Sequence, residues 1–526
     1  MEKPEAFQGA DPILRGNDTR LKHRKEAPCS TLGDTVPSNT LKQADGALEL
    51  FPTRHISHGA TDPVEQKKLV RMIDFTILPF LFICYTFFYV DKTTLSYAAI
   101  FGIRKDLNLK NDQYSWLSSL FYFGFLAWTL PTTLLMQRYP IGKYLGINVF
   151  IWGVLLMLQV TTSSFASLAV LRTLGGAVES CADPAFMLIT SMWYTRREQP
   201  LRVGLWYSAN GFGIALGGLL GYVIGHIHGD LASWKYEFLI IGAICCCWGI
   251  LITIFLPDSP MTAKVFSIHE RRMVVERKNE DQTGVENKHF KRYQVIEAFL
   301  DIKTYLFFLL AFVSSVPNGG ISNFGTLIIE GFGFSTLHTT LMQIPYGVFV
   351  IFSILTCVFL NDRFTNKRCL FVFLYVCPNI AGTFGLRYVD DKNTAGKYIC
   401  YLLTGSYVAS AVMFLSLMIS NTAGYTKKVI TNAVLYLGYA AGNISGPFFY
   451  RTDQAPTYSL GIWSMIVSNL IEAVSIFVFW YLMVRENERR DAVQKLQEGG
   501  LEGRDLDATA FGDLTDRENP NFRYIF

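Results

Sequence analysis

The sequence predicts an all-α membrane protein with twelve transmembrane helices in two six-helix halves. Three observations carry that reading. Half of the 526 residues are hydrophobic and 17% are charged, against about 25% charged in soluble domains. Apolar runs of about 20 residues, enough to cross about 30 Å of hydrocarbon as helices, recur along the chain. A charged stretch at 257–303 separates two near-equal segments, 72–256 and 304–484, of 185 and 181 residues. The 41 Phe and a mean hydropathy of +0.26 exclude a disordered scaffold. A net charge of only +4 gives a nucleic-acid partner no electrostatic footing.

Residues 1–64 are polar and rich in Pro, Ser and Thr, so they read as a disordered cytosolic tail. No secretory signal precedes the first apolar run. The first half, 65–256, holds spans near 72–90, 114–136, 145–162, 166–190, 203–225 and 237–256. The cytosolic linker 257–303 follows; around Ser267–Arg272 it mixes apolar and charged residues and fits short amphipathic helices. The second half, 304–484, holds spans near 304–328, 339–360, 368–386, 397–419, 429–449 and 462–484. Residues 485–526 form a second cytosolic tail, read as unstructured.

Lys and Arg in the short loops set the orientation. Lys67, Lys68, Arg71, Arg138, Lys143, Arg196, Arg197 and Arg202 fall on one side, as do Arg363, Lys367, Arg368, Lys427, Lys428, Arg485, Arg489 and Arg490. Two loops on the other side break the trend, with Arg104, Lys105 and Lys110 in one and Arg387, Lys392 and Lys397 in the other. Both termini are therefore expected in the cytosol, and the sequon Asn17-Asp18-Thr19 should stay unglycosylated. Gly213, Gly217, Gly221 and Gly225 in the fifth span are matched by Gly438, Gly442 and Gly446 in the eleventh. Such four-residue ladders let helices pack closely, and their recurrence supports a six-plus-six repeat with a site between the halves.

Intramembrane charges cost about 2.5–3.5 kcal/mol each on insertion scales, so they are site candidates. Arg172 and Glu179 lie seven residues apart in the fourth span, about 20° short of two turns and so on one face. Arg offers a fork to carboxylate, sulfonate or phosphate, and Glu in a low-dielectric cavity loads and releases a proton. The competing reading is a buried bridge that locks the helix. Asp91 and Lys92 close the first span, as site residues or as an interfacial pair. The seventh span reads Val316-Pro317-Asn318-Gly319-Gly320-Ile321-Ser322-Asn323. There a broken helix could free Asn318 and Asn323 for substrate, or the two Asn could glue neighbouring helices. Tyr89 and Gln343 are further substrate-binding candidates, with Tyr85, Tyr407 and Asn432 weaker; Glu472 and Asp74 read as interfacial or packing charges.

Other chemistries find no support. Cys245, Cys246 and Cys247 sit in an apolar run and read as small hydrophobes. No zinc spacing, phosphate-cradling GxxxxGK[ST] run or Ser/His/Asp elbow is present, so neither enzyme nor ATP-driven pump is expected, and no cofactor.

Several stretches resemble a known superfamily. Asn361-Asp362-Arg363-Phe364-Thr365-Asn366-Lys367-Arg368 is similar to the gating loop of major facilitator transporters. Gln137-Arg138-Tyr139-Pro140-Ile141-Gly142-Lys143 is its first-half counterpart without the usual Asp. Within that superfamily the chain resembles the fungal allantoate permease family of anion:cation symporters. The likeness rests on Phe88–Ala98, Phe121-Tyr122-Phe123-Gly124, Leu256-Pro257-Asp258-Ser259-Pro260, Asn421–Lys428, Gly442-Asn443-Ile444-Ser445-Gly446-Pro447 and Asp513–Asn519.

The resemblance implies proton coupling at Asp91 and Glu179, and anion binding at Lys92 and Arg172. Lys92 departs from the family's commoner Arg. It also implies gating at Gly142, Lys143, Asp362 and Arg363. Ile214 stands where drug:proton antiporters carry Pro, which weakens an export reading. The function expected is proton-coupled import of a small organic anion: a vitamin carboxylate, ureide, sulfonate or amino-acid-like compound. A metabolite exporter of the same fold and a transporter-like nutrient receptor are the alternatives. The expected partners are that anion, protons and the lipid bilayer. As in its relatives the unit would be a monomer, in the plasma membrane or else the endoplasmic reticulum or vacuole.

Overall fold

The computed structural model describes residues 63–195, 198–227, 229–280, 291–364, 366–497, 514–519 and 522–526. The expectations for the N-terminal tail, its sequon and the Arg196-Arg197 pair lie outside the described residues. Every regular element among the described residues is helical. The first six predicted spans are α1 (Pro63–Ile100), α2 (Gln113–Arg138), α3 (Ile141–Gln159), the pair α4 (Phe165–Glu179) and α5 (Ala182–Trp193), the pair α6 (Gln199–Tyr207) and α7 (Ala209–Gly225), and α8 (Ser233–Phe255). Two linker helices follow, α9 (Ile268–Glu280) and α10 (Arg292–Leu300). The last six spans are α11 (Ile302–Glu330), the pair α12 (Thr336–Leu341) and α13 (Gln343–Arg363), α14 (Arg368–Tyr388), the pair α15 (Thr394–Thr404) and α16 (Tyr407–Asn421), α17 (Tyr425–Ser445) and α18 (Ser459–Gln497).

Ten of these spans are long and apolar enough to cross a membrane. The other two expected spans fall short for chemical reasons. The fourth is interrupted and carries Arg172, Glu179 and Asp183, while α17 opens on Lys427 and Lys428.

Local chemistry sets where helices start and stop. Ser164, Asp301, Ser335 and Asn393 each accept a backbone N–H of the first turn they cap, opening α4, α11, α12 and α15. Two interruptions trace to proline. Pro184 and Pro345 lack the N–H that would bond the carbonyls of Ser180 and Leu341, and the helices break just before them, at Ser180–Cys181 and at Met342. The break expected at Pro317 does not form: α11 runs unbroken through it, with Gly319 and Gly320 packed against Asn443 and Tyr450.

The glycine ladders pack as expected. A Cβ added at Gly213 would lie 2.6 Å from the Thr86 carbonyl, Gly217 and Gly221 face Thr93 and Tyr97 further along α1, and Gly225 faces Phe101 just past its end. Gly438, Gly442 and Gly446 face Phe308, Phe312 and Val316 of α11. The fifth span thus packs on the first as the eleventh packs on the seventh.

Hydrogen bonds joining the first six spans to the last six cluster at midspan and toward the end away from the termini. Ser96 Oγ meets Thr326 Oγ1 at 2.7 Å, Tyr114 Oη donates to the Asn323 carbonyl at 2.7 Å, and Ser119 Oγ donates to the Ile444 carbonyl at 2.7 Å. At the opposite end α9 is tied to the first six spans by Arg277 and Glu198, 2.5 Å apart. There α10 is tied to the last six, with Gln294 Oε1 accepting the backbone N–H of Thr426 and Lys427.

The C-terminal tail is not the unstructured segment expected. Residues 514–519 and 522–526 are strapped across the ends of the last six spans. Asp516 is fully buried, bonded to Lys303 and 2.8 Å from Lys427, with Tyr524 Oη donating to it at 2.8 Å. Arg490 donates to the carbonyls of Asp516, Asn519 and Phe522. Asn421 exchanges two hydrogen bonds with the Ile525 backbone. Burial opposes the charge on Asp516, but Lys303 and then Lys427 outweigh it and hold the carboxyl at about 2.

Candidate functional site

Two cavities meet at Tyr89, near the middle of the bundle. The first encloses about 420 Å³ of space, part of it open to solvent, and takes its walls from α1, α2, the α4–α5 break and α17. The second, about 390 Å³, is walled by α1, α7, α11, α13, α15 and α16. Tyr89 lines both.

The first cavity holds the charges. Lys92 reaches in from α1, partly buried, with its Nζ 5.1 Å from the Tyr89 ring centre and 5.8 Å from those of Tyr122 and Tyr439. It donates one hydrogen bond, to Tyr439 Oη at 3.3 Å. No carboxylate lies within ion-pair distance of it among the described residues. Three aromatic faces partly offset the lost hydration of the ammonium and leave its donors free to turn. Glu179 and Asp183 line the same cavity, on either side of the Ser180–Cys181 break. Glu179 Oε2 is buried and without a hydrogen bond.

Arg172 and Asp91 stand behind that cavity. The Arg172 Nη1 lies 3.9 Å from Asp91 Oδ1, and both side chains are buried. Asp91 Oδ2 accepts the Trp152 indole N–H at 3.1 Å, while Asp91 Oδ1 and Arg172 Nε have no hydrogen-bond partner. The guanidinium sits 5.2 Å over the Phe121 ring, and Phe121 is itself a cavity wall. The pair is thus in ionic contact without a hydrogen bond, screened from the cavity by one aromatic ring. Arg172 faces Asp91 rather than forming the bridge to Glu179 that a shared helix face allowed.

The second cavity is uncharged and mixes aromatic and aliphatic faces with hydroxyl and amide groups. Gln343 is buried at its wall, with Nε2 3.5 Å from Tyr401 Oη, alongside Ser96, Ser322, Thr326 and Tyr407. Asn318 and Asn323 line neither cavity. Asn318 Nδ2 donates to Asn443 Oδ1 at 2.8 Å and its Oδ1 accepts from Tyr407 Oη at 2.7 Å; Asn323 Nδ2 donates to the Gly319 carbonyl at 2.8 Å. Asn318 thus joins α11 to α16 and α17, while the Asn323 side chain bonds back to a carbonyl of its own helix.

The gating candidates split. The Lys143 backbone N–H donates to Asp258 Oδ1 at 3.1 Å, and its Nζ lies 4.0 Å from Asp258 Oδ2. A Cβ on Gly142 would lie 3.1 Å from the same Asp258 carboxylate. Asp258 therefore supplies an acid to a loop whose own sequence lacks it. Asp362 and Arg363 are exposed at the end of α13, and among the described residues their side chains make no hydrogen bond or ion pair in this arrangement.

Asp74 forms a two-bonded pair with Arg202, at 3.2 and 3.0 Å, and belongs to packing. Glu472 is fully buried rather than interfacial, and Ser410 Oγ donates to it at 2.8 Å. Two acids went unremarked in the sequence. Asp183, four residues after Glu179, lines the cavity; its spacing and the Pro that follows it were the available signals. Glu237 in α8 is fully buried with neither carboxylate oxygen hydrogen-bonded, outside both cavities.

A family profile for the Major Facilitator Superfamily matches residues 81–447. An uncharacterized transporter of Schizosaccharomyces pombe is 38% identical to the chain, covering 88% of it and 87% of the relative. Allantoate permease of Saccharomyces cerevisiae is 36% identical over the same shares, 88% and 87%. A thiamine pathway transporter of that yeast is 34% identical over 87% of the chain and 86% of the relative. Among solved structures, the fold is similar to a bacterial homolog of the human lysosomal transporter Spinster, with a TM-score of 0.57, 15% identity, and 76% of this chain and 95% of that one covered. The chain is a multi-pass membrane protein of the Major Facilitator Superfamily and belongs, within it, to the fungal transporter family that includes allantoate permease.

Proposed function

We propose that this transporter imports a small organic anion together with a proton. One observation carries the reading: Lys92 stands in a midspan cavity as a caged cation with no carboxylate within ion-pair distance among the described residues, and a carboxyl group, Glu179, lines the same cavity. An anion entering a low-dielectric site needs a counter-charge, and Lys92 is placed to give it. Glu179 beside it takes up a proton as the anion arrives, so that the loaded cavity stays near neutral. Arg172 and Asp91 hold the fourth span against the first. The amide and hydroxyl groups of the second cavity receive the uncharged part of the substrate.

The first six and last six spans form two bodies, joined by the 257–303 linker, that rock about the cavities. With both termini in the cytosol, the observed bundle is latched on the outer side. Asp362 and Arg363 then engage only when the cytosolic side closes.

The test is uptake into proteoliposomes of purified protein under an imposed pH gradient, interior alkaline. The probes are allantoate, nicotinate, taurine and glutamate. Accumulation of one of them above equilibrium, collapsed by a protonophore, is the expected result. Exchange without any gradient-driven accumulation overturns proton coupling.

A further inference from the structure

We propose that Asp183 shares the proton-carrying role with Glu179, the two forming one pair that holds one proton in the empty carrier and two in the loaded one. The inference rests on the import reading above and deepens it.

The observation behind it is an imbalance of charge. Lys92, Glu179 and Asp183 line one cavity. Asp91 and Arg172, behind Phe121, cancel each other. Asp183 makes no hydrogen bond or ion pair among the described residues. The other groups in reach of it are the Cys181 thiol in the break and phenols: Tyr85 and Tyr89 from α1, Tyr122 from α2, Tyr207 from α6, and Tyr436 and Tyr439 from α17. One cation therefore faces two carboxyls. If both were ionised, the empty cavity would carry a net negative charge in a low-dielectric setting, which is costly. One proton on the pair removes that charge.

When a monovalent anion takes the place opposite Lys92, the remaining carboxylate loses its counter-charge. It then takes a second proton from the outer aqueous phase, forming an O–H bond. On the cytosolic side the anion leaves, that O–H bond breaks, and the proton passes to water while Lys92 again serves as the carboxylate's counter-charge across the cavity. Each cycle moves one anion and one proton, without net charge. Either carboxyl can carry the exchanged proton, because the two lie on neighbouring turns across the α4–α5 break and interact electrostatically.

The experiment uses full-length protein in proteoliposomes and the probe from the four-compound panel that accumulates most. With a gradient of one pH unit, one-to-one coupling drives about tenfold accumulation, and a potassium diffusion potential set with valinomycin leaves it unchanged. Glu179→Gln and Asp183→Asn each slow uptake and move its pH profile but keep the ratio near ten, because the remaining carboxyl still exchanges one proton per anion. The double variant falls to one while still exchanging labelled for unlabelled probe, which also shows that it is folded. Two results overturn the inference: Glu179→Gln alone at a ratio of one with Asp183→Asn behaving as wild type, or accumulation that follows the membrane potential. Either leaves proton-coupled import standing, because the wild type still accumulates probe; failure of the wild type itself strikes the import reading instead.

Discussion

Replacing Asp516 with Asn should release the C-terminal strap, and the structure sets the size of the effect. Asp516 is fully buried against Lys303, Lys427 and Tyr524. Removing one member of a buried ion pair costs about 3–5 kcal/mol when the partner is stranded. Here neither lysine is stranded: Asp301 lies 3.4 Å from Lys303 and 2.8 Å from Lys427. The cost therefore sits below that range. A second route agrees. The carboxyl is held at about 2, some two units below the ordinary aspartate value of about 3.9, which corresponds to about 2.5 kcal/mol. That is roughly a 50-fold rise in the population of released strap.

The sign with pH follows from the depressed value. The stabilisation is complete above about pH 4 and is lost as pH falls toward 2. Hydrogen exchange of the C-terminal peptide, read by mass spectrometry in detergent, measures that population. The expectation is protection reduced about 50-fold at neutral pH, with the gap between wild type and variant closing in acid. Protection within threefold of wild type at neutral pH would show that the strap is held by its backbone contacts to Asn421, Asn487 and Arg490 alone, and would refute the ionic argument.

Four further outcomes are expected. Lys92→Met should weaken binding of an anionic probe about 30- to 100-fold, the loss of a charge-assisted contact of about 2–3 kcal/mol, while the melting temperature in detergent changes little; calorimetric titration checks it. Phe121→Ala should bare the Arg172 guanidinium to the cavity and shift selectivity about tenfold toward dianions over monoanions, read by competition against labelled monoanion. Gly442→Leu should destabilise by at least about 1–3 kcal/mol of overpacking, because even its Cβ would lie 2.7 Å from that of Ser315. Gly175→Ala, with nothing within 4 Å of its added carbon, should be neutral or slightly stabilising in the same melting assay.

Much of the fold was legible because hydrocarbon imposes simple rules. Span length and glycine spacing both reappear in the packing. The ladder at Gly438, Gly442 and Gly446 meets α11 residue for residue, as its first-half counterpart meets α1. The strap was illegible for the opposite reason. Residues 514–519 are polar, and polarity alone reads as solvated tail. What buries them is the match of one carboxylate to two lysines from the ends of α11 and α17, a tertiary pairing with no local periodicity. The site was half legible. Cost singled out Asp91, Lys92, Arg172 and Glu179 as candidates, and the structure places them near one another, but spacing on one helix could not say that Arg172 would turn to Asp91 on another. Asn318 and Asn323 lie outside both cavities, bonded within the bundle, because a polar side chain in a span finds a protein partner as readily as a substrate.

The interruptions of the helices carry the strongest remaining signal. Pro184 and Pro345 break their spans, whereas Pro79, Pro131, Pro317 and Pro378 sit inside uninterrupted helices. Proline alone does not decide the outcome, since a freed backbone group must find a partner within the bilayer. Irregular backbone is tolerated there only where protein or a watery cavity receives it. The four midspan breaks fall at 180–181, 208, 342 and 405–406, beside Glu179 and Asp183, Tyr207, Gln343 and Tyr407. Of these five residues, four line one of the two cavities, and the fifth, Tyr207, packs its ring 5.4 Å from that of the wall residue Tyr85. Pro317 lies where α11 is packed by Asn443 and Tyr450, and its helix stays whole. A break in this bundle therefore marks a place where the cavity substitutes for the missing helix partner, and polar residues flanking it are placed by the same cause that opens the site.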